Sequence, residues 1–184
     1  MDTHDAIRTR RTIHKYLPEP VPEDVLQRAL EAAHMAPCHR MTWPWRFYRV
    51  GPETRRRIVD VVIAVKSAKK PNLSEAEKNA IRAKISNPAE LLVVTQVICD
   101  DPMQFEEDYA AVACALQNLM LSVAADGYGT KWGSGGVTKA PGSYAAAGID
   151  ADVERIVGFL YVGVPAVVPK IQRPEVAAVV RQLS

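Results

Sequence analysis

The stretch FEEDYAAVACALQNLMLSVAADG, residues 105–127, decides the fold. Acidic residues open it and Asp126-Gly127 closes it. Between them Ala110, Ala111, Val112, Ala113, Cys114, Ala115 and Leu116 follow one another without a polar break. Its length and its alanine and leucine content make it a helix. One face of a helix covers only about a third to a half of the circumference, so no single contact surface takes the whole run. A sheet can cover one side. A second copy of the same helix, across a twofold axis, can cover the other, and the small alanines let two backbones approach. Gly127 suits the left-handed position that ends such a helix.

Outward from this helix, strands and helices alternate. Residues 91–98 are a continuous, largely β-branched apolar run, which reads as a buried strand. Residues 155–163 form a second apolar strand, 130–134 a short one followed by Gly135-Gly136, and 46–50 a further one. Thr3 or Asp5 is placed to cap a first helix running into Arg8, Arg10 and Arg11. Pro18, Pro20 and Pro22 keep the next segment extended. Pro22 suits the first position of a helix whose face is Val25, Leu26, Ala29, Leu30 and Ala33. Gly51-Pro52-Glu53 opens a third helix with the face Ile58, Val61, Val62 and Val65, and a fourth falls at 74–85. From about residue 164 an extended tail follows, with Val176, Val179, Val180 and Leu183 marking a last short helix. The one Asp-Gly pair closes a helix, so hairpin turns between strands are not expected. The pattern is a single α+β domain over residues 1–184, a central sheet flanked by helices.

Composition bounds the function. The chain has 184 residues, 48% of them hydrophobic and 24% charged, which is globular usage with enough length for a real core. With 23 basic and 21 acidic residues the charge is nearly balanced, which argues against a dedicated nucleic-acid binder. No apolar run approaches the ~18 residues of a membrane span. Met1-Asp2-Thr3-His4-Asp5 lacks the basic start of a signal peptide. Cys38, Cys99 and Cys114 are too widely and oddly spaced for a disulfide framework. A cytoplasmic protein is the expectation.

Few side chains offer chemistry of their own. His34, Cys38 and His39 lack a matching fourth ligand, so no metal is expected. Cys38 and His39, adjacent in sequence, do not face each other as a nucleophile and base must. Asp100-Asp101 and Glu106-Glu107-Asp108 read as a solvated loop and a helical first turn. Gly127, Gly129, Gly133, Gly135 and Gly136 follow a helix and bracket a strand, so they are not a dinucleotide fingerprint. They either terminate a helix and make a tight strand, or let backbone lie against a flat ligand. Arg8, Arg10 and Arg11 beside Thr12 and His14 make either a solvated basic face or a phosphate clamp.

Four stretches, in order, resemble the nitroreductase family of FMN-dependent oxidoreductases. They are IRTRRTIHKY (7–16), APCHRMTWPWRF (36–47), the helix end QNLMLSVAADGYGTKW (117–132) and IVGFLYVGVP (156–165). The short interval between the second and third resembles the family's compact subgroup, whose loop histidine His39 matches. The resemblance implies a mostly antiparallel sheet and an obligate homodimer with two FMN sites at the interface, the tail having the partner subunit to pack on. It implies that Arg10, Arg11 and Thr12 hold the phosphate and ribityl end. Met35 and His39 would come from the partner. Trp132, Gly133 and Ser134 would line the ring, with a backbone N–H near flavin N5. His14 would supply positive charge or an N–H donor near N1 and O2, and Lys170 or Arg173 a further phosphate contact. Cys38, Met41 and Trp43 depart from the family pattern, so polar groups that reach flavin or substrate in relatives are missing.

The activity so implied is hydride transfer from NAD(P)H to the flavin and on to a small electron-poor acceptor, a nitroaromatic or quinone, with ping-pong kinetics. The flavin carries that chemistry, and no catalytic side chain is needed. The alternatives are a flavin-binding relative devoted to storage, degradation or dehalogenation, and a non-enzymatic basic binding module.

Overall fold

The computed structural model describes residues 1–183. Four strands, β1 (Trp45–Arg49), β2 (Glu90–Val97), β3 (Gly129–Gly133) and β4 (Glu154–Gly163), form one sheet in the order β1-β2-β4-β3. All of its pairings are antiparallel. Every connection between successive strands carries a helix, which is why the sequence shows no hairpin turns. The helices are α1 (Thr3–Thr9), α2 (Glu23–His34), α3 (Pro52–Lys69), α4 (Glu75–Ser86), α5 (Pro102–Ala125) and α6 (Pro141–Ala147).

The strand alternation sorts the core into two layers. Leu92 and Val94 of β2 face α2 and α5, packing with Leu26, Ala29, Val112, Leu116 and Leu119. Leu91 and Val93 face the other way, toward Ile58 and Val62 of α3, Ile81 and Ile85 of α4, and Ala146 of α6. The register slips between Val94 and Thr95, where β4 carries one extra residue, Val157. This bulge lets Val157 and Leu160 share the α5 face although they are an odd number of residues apart.

The deciding helix is resolved by this layering. Within 110–116, Ala111, Val112, Ala115 and Leu116 are buried against the sheet and α2, while Ala110 and Cys114 are exposed and Ala113 is half-buried. Contrary to the sequence expectation, α5 is long and apolar enough to cross a bilayer, and in this structure one face of it packs in the core. Gly127 ends it at φ +87°. Asp108 departs from the expected solvated turn: it is 4% exposed and accepts a 2.6 Å hydrogen bond from Thr42 Oγ1.

Smaller expectations shift as well. Asp2, not Thr3 or Asp5, caps α1, accepting from Asp5 N at 2.9 Å, and the helix stops at Thr9. Pro22 is the cap of α2 and not its first residue. Val59 replaces Val65 on the buried face of α3. Helix α6 was not expected, since its PGSYAAA sequence has no apolar stripe longer than one turn. Among the described residues, the backbone hydrogen bonds that tie the tail to the rest of the chain lie at its start, where Leu17 N donates to Val164 O and Ala166 N to Lys15 O. Its last helix shrinks to the single turn Val176–Ala178.

Candidate functional site

Arg10 caps the C-terminus of α1, and Arg11 is folded back, donating through Nη1 to Arg8 O at 2.6 Å and Arg10 O at 2.9 Å. The chain then runs beside β3: Thr12 bridges Thr130 in parallel, and Ile13 N donates to Thr130 O at 2.9 Å. This brings both arginines over the turn that ends α5, around a cavity of about 210 Å³ lined also by Tyr128, Thr130, Pro165 and Val168. Burial, then Arg173 and Arg11, push the Arg10 pKa down, so the tail delivers Arg173 to this cluster. Among the described residues, Arg10, Arg11 and Arg173 have no carboxylate within 4 Å. Thr130 Oγ1 is buried and has no hydrogen-bond partner. Buried polar atoms are nearly always satisfied, so this one points to a missing group. Lys170 lies in the same exposed tail.

Past Thr12 and Thr130 lies a second cationic cluster. A cavity of about 260 Å³ is lined by Lys66, Lys84, Lys131, Gly133 and Gly135 over Phe159 and Tyr161. Burial, reinforced by Lys84, lowers the Lys131 pKa to about 8. Burial, then Lys131 and Lys84, also lowers the His14 pKa, so the positive charge here comes from the lysines. Nothing lies within 4 Å of where a Gly135 Cβ would sit, and only Lys69 Nζ, at 4.0 Å, for Gly136. The glycine cluster therefore divides. Gly127 ends a helix, and the room beside Gly129 is filled by Ile13 and Pro165. Gly135 and Gly136 leave backbone open.

Trp132 turns to the opposite face of β3, its Nε1 donating to Val157 O at 3.4 Å, and its indole occupies the space a Gly158 Cβ would need. At the lysine cavity the chain here offers the backbone of Gly133 and Gly135, while Ser134 lines a separate cavity beside Arg155. Met35, 73% exposed at the end of α2, and His39, exposed with Nε2 3.9 Å from Glu107, line neither cavity. His39 begins a strained loop: Arg40, Met41 and Trp43 all have positive φ, at 57°, 52° and 40°. The Cys38 thiol pins this loop, accepting from Trp43 N at 3.2 Å and lying 3.3 Å from Thr42 Oγ1. His34 is engaged by Trp45 Nε1 at 3.3 Å.

Sequence reasoning missed Thr130, Lys84, Lys131 and Lys66. Period-two alternation along β3 placed Lys131 opposite Trp132 and could have found it. Lys84 carries no local signal, because α4 reaches this cavity only through tertiary packing.

Residues 7–164 match the nitroreductase family, and the chain belongs to that family. It is 33% identical over 171 residues to YfhC of Bacillus subtilis, covering 92% of this chain and 87% of that protein. It is 31% identical over 170 residues to YdjA of Escherichia coli K12, covering 90% and 89%. Both carry the provisional name NAD(P)H nitroreductase. The crystal structure of a nitroreductase-like protein from Bacillus cereus superposes with a TM-score of 0.86 at 25% identity, over 100% of this chain and 96% of that one. A Desulfovibrio desulfuricans protein solved with FMN has the same fold, with a TM-score of 0.79 at 19% identity over 100% and 98%.

Proposed function

We propose that this chain is an FMN-dependent oxidoreductase that carries a hydride from NAD(P)H to an electron-poor acceptor such as a nitroaromatic or quinone. The observation that carries this reading is a pair of uncompensated cationic cavities lined by consecutive residues of β3, one around Arg10, Arg11 and the unpartnered Thr130 hydroxyl and the other around Lys66, Lys84 and Lys131. That donor set fits a phosphate, a hydroxylated chain and a flat ring. FMN, when bound, supplies the redox chemistry by accepting a hydride from the donor and yielding it to the acceptor. Arg10, Arg11 and Arg173 would hold the phosphate, with Lys170 a second cation in the same tail. Thr12 and Thr130 would meet the ribityl hydroxyls. Lys84 and Lys131 would stabilise negative charge on the pyrimidine edge, with His14 a neutral donor beside them. Trp132, Gly133 and Ser134 would present backbone N–H groups to the ring. One site visited in turn by donor and acceptor gives ping-pong kinetics.

The working unit in this reading is a homodimer in a reducing cytoplasm, in keeping with three free cysteines. Ala110, Ala113 and Cys114 form an outward stripe on α5 that a second copy would cover. The exposed Val167, Val168, Ile171, Val179 and Val180 of the tail would pack on that copy. Met35 and His39 would then reach the partner's flavin, so assembly and cofactor binding are linked.

Flavin absorbance of the purified protein, light scattering, and a steady-state assay with NADH or NADPH and a quinone test the reading. The expected result is a yellow dimer with stoichiometric FMN and parallel double-reciprocal plots, and an Ala113→Glu variant that loses both partner and flavin. A protein that takes up no FMN overturns the flavin reading in favour of the binding module. Bound flavin without NAD(P)H turnover favours storage, degradation or dehalogenation.

A further inference from the structure

A cavity of about 600 Å³ lies between the first turns of α5 and the segment after β3, lined by Phe105, Tyr109, Ser134, Thr138, Lys139 and Arg155. Its volume is that of a small-molecule site. Thr138 also lines the lysine cavity, so the two are neighbours. Arg155 opens β4 and is held from three directions. Its guanidinium carbon lies 4.4 Å from the Phe105 ring centroid and 5.0 Å from that of Tyr109. Its Nη2 donates to Gln96 Oε1 at 2.6 Å. Gln96, fully buried, is itself fixed by donating Nε2 to Phe105 O at 2.7 Å. Stacking and this bond hold the fork in place and leave most of its five donors unspent. Among the described residues no carboxylate lies within 4 Å of Arg155. The adjacent Glu154 is taken by Tyr48 and Thr95.

We propose that this cavity is the acceptor subsite and takes a planar aromatic monocarboxylate, with Arg155 binding the carboxylate. The name acceptor subsite rests on the flavin reading above; the ligand class rests on the cavity alone. Arg155 and Lys139 against Glu106 leave the lining one net positive charge, which a monoanion neutralises and a phosphate dianion overfills. Buried Ile156 and Val157 supply an apolar wall for a flat ring. A rigid guanidinium favours the planar, two-oxygen carboxylate, which accepts both arms of the fork.

Benzoate and its neutral isostere benzamide, titrated calorimetrically into the purified protein with its native flavin content, test this. Benzoate should bind about tenfold to a hundredfold tighter than benzamide, the range for hydrogen bonds to a charged group. Arg155→Met should bring the two ligands within twofold. Arg155→Lys keeps a donor for Gln96 and so guards against misfolding; it should keep the preference for benzoate but weaken it severalfold. Equal binding of the two ligands to the wild type overturns the proposal, as does an unchanged preference in both variants. A shift in NADPH against NADH preference, with benzoate binding unmoved, also overturns it by assigning Arg155 to the donor. A protein that binds benzoate through Arg155 yet takes up no FMN refutes the flavin reading and leaves the carboxylate site standing.

Discussion

The cavities at the two ends of the proposed flavin site are both positive, but with different kinds of charge. Arg10, Arg11 and Arg173 cluster at one end, and Lys66, Lys84 and Lys131 at the other beside His14. Guanidinium stays charged at every working pH, even when burial and like charges lower its pKa, as they do for Arg10. An ammonium in the same situation moves into reach of neutral pH, as Lys131 does at about 8. In the flavin reading, the arginine end would hold an anion at any working pH. The lysine end has a charge that depends on what lies against it, which suits a site where negative charge comes and goes.

The sharpest way to break this comparison is to remove a permanent charge. Each hydrogen bond from Arg10 to a phosphate oxygen is worth about 1.5–3 kcal/mol, so Arg10→Ala should weaken FMN binding roughly tenfold to a hundredfold without unfolding the chain. Equilibrium dialysis against FMN measures it. Arg56→Ala, on an exposed arginine of α3 that meets only Glu53 at 3.7 Å, is the control and should change little. An Arg10→Ala protein that kept its full flavin complement would show that the arginine cluster is a solvated face.

Thr130 sharpens the comparison from the arginine cavity, which it lines. Its hydroxyl is buried and unpartnered, and leaving such a group unsatisfied costs about 1–3 kcal/mol. Thr130→Val should therefore stabilise the flavin-free protein by about 1 kcal/mol and weaken FMN binding by a similar amount, roughly fivefold. Thermal unfolding with and without FMN reads both. A variant less stable in both states would mean that the hydroxyl serves the fold and not a ligand.

These residues also mark what was legible in the sequence. The layers were, because the burial pattern of β2, α2 and α5 repeats at the periods that strand and helix impose. Arg10, Arg11 and Thr12 were, because they are contiguous and so declare a cluster without any tertiary information. Lys84 and Arg155 were not. Lys84 meets Lys131, and Arg155 meets Gln96, across more than forty residues of chain, 59 in the second case, and nothing local distinguishes either from a surface cation. The indole of Trp132 lies on the α5 side, over Gly158, which leaves its backbone as the part able to meet the ring in the flavin reading. The pairing of Trp132 with Leu160 in the β3–β4 register puts it on that face, opposite Lys131, as strand alternation requires.

The smallest effect, and the one most particular to the lysine end, is a pH dependence. The ordinary Lys131 pKa is 10.5, and in the folded chain burial and the adjacent Lys84 bring it to about 8. The groups facing it are Lys84 and Lys66 from α4 and α3, His14 from the segment beside β3, and the Tyr161 ring 6.0 Å away on β4, none of them an anion at pH 8. Between these two values the unfolded chain binds more protons at this side chain than the folded one does, so the stability of the flavin-free protein should rise with pH from about 8 to 10.5. Below pH 8 both states carry the proton and the slope vanishes. Binding of an anion reverses the preference, because negative charge beside Lys131 holds its proton on. FMN uptake above pH 8 should therefore take up protons, and FMN affinity should fall as pH rises through the same window. Lys131 is half-buried, and solvent screening limits the change to a few-fold. Calorimetry in buffers of different ionisation enthalpy measures the proton uptake directly. Lys131→Met should abolish both the stability slope and the uptake, while Arg10→Ala should leave the uptake intact at its lower affinity. If Lys131→Met leaves the uptake in place, another group titrates there and the contrast between a permanent and an adjustable end fails.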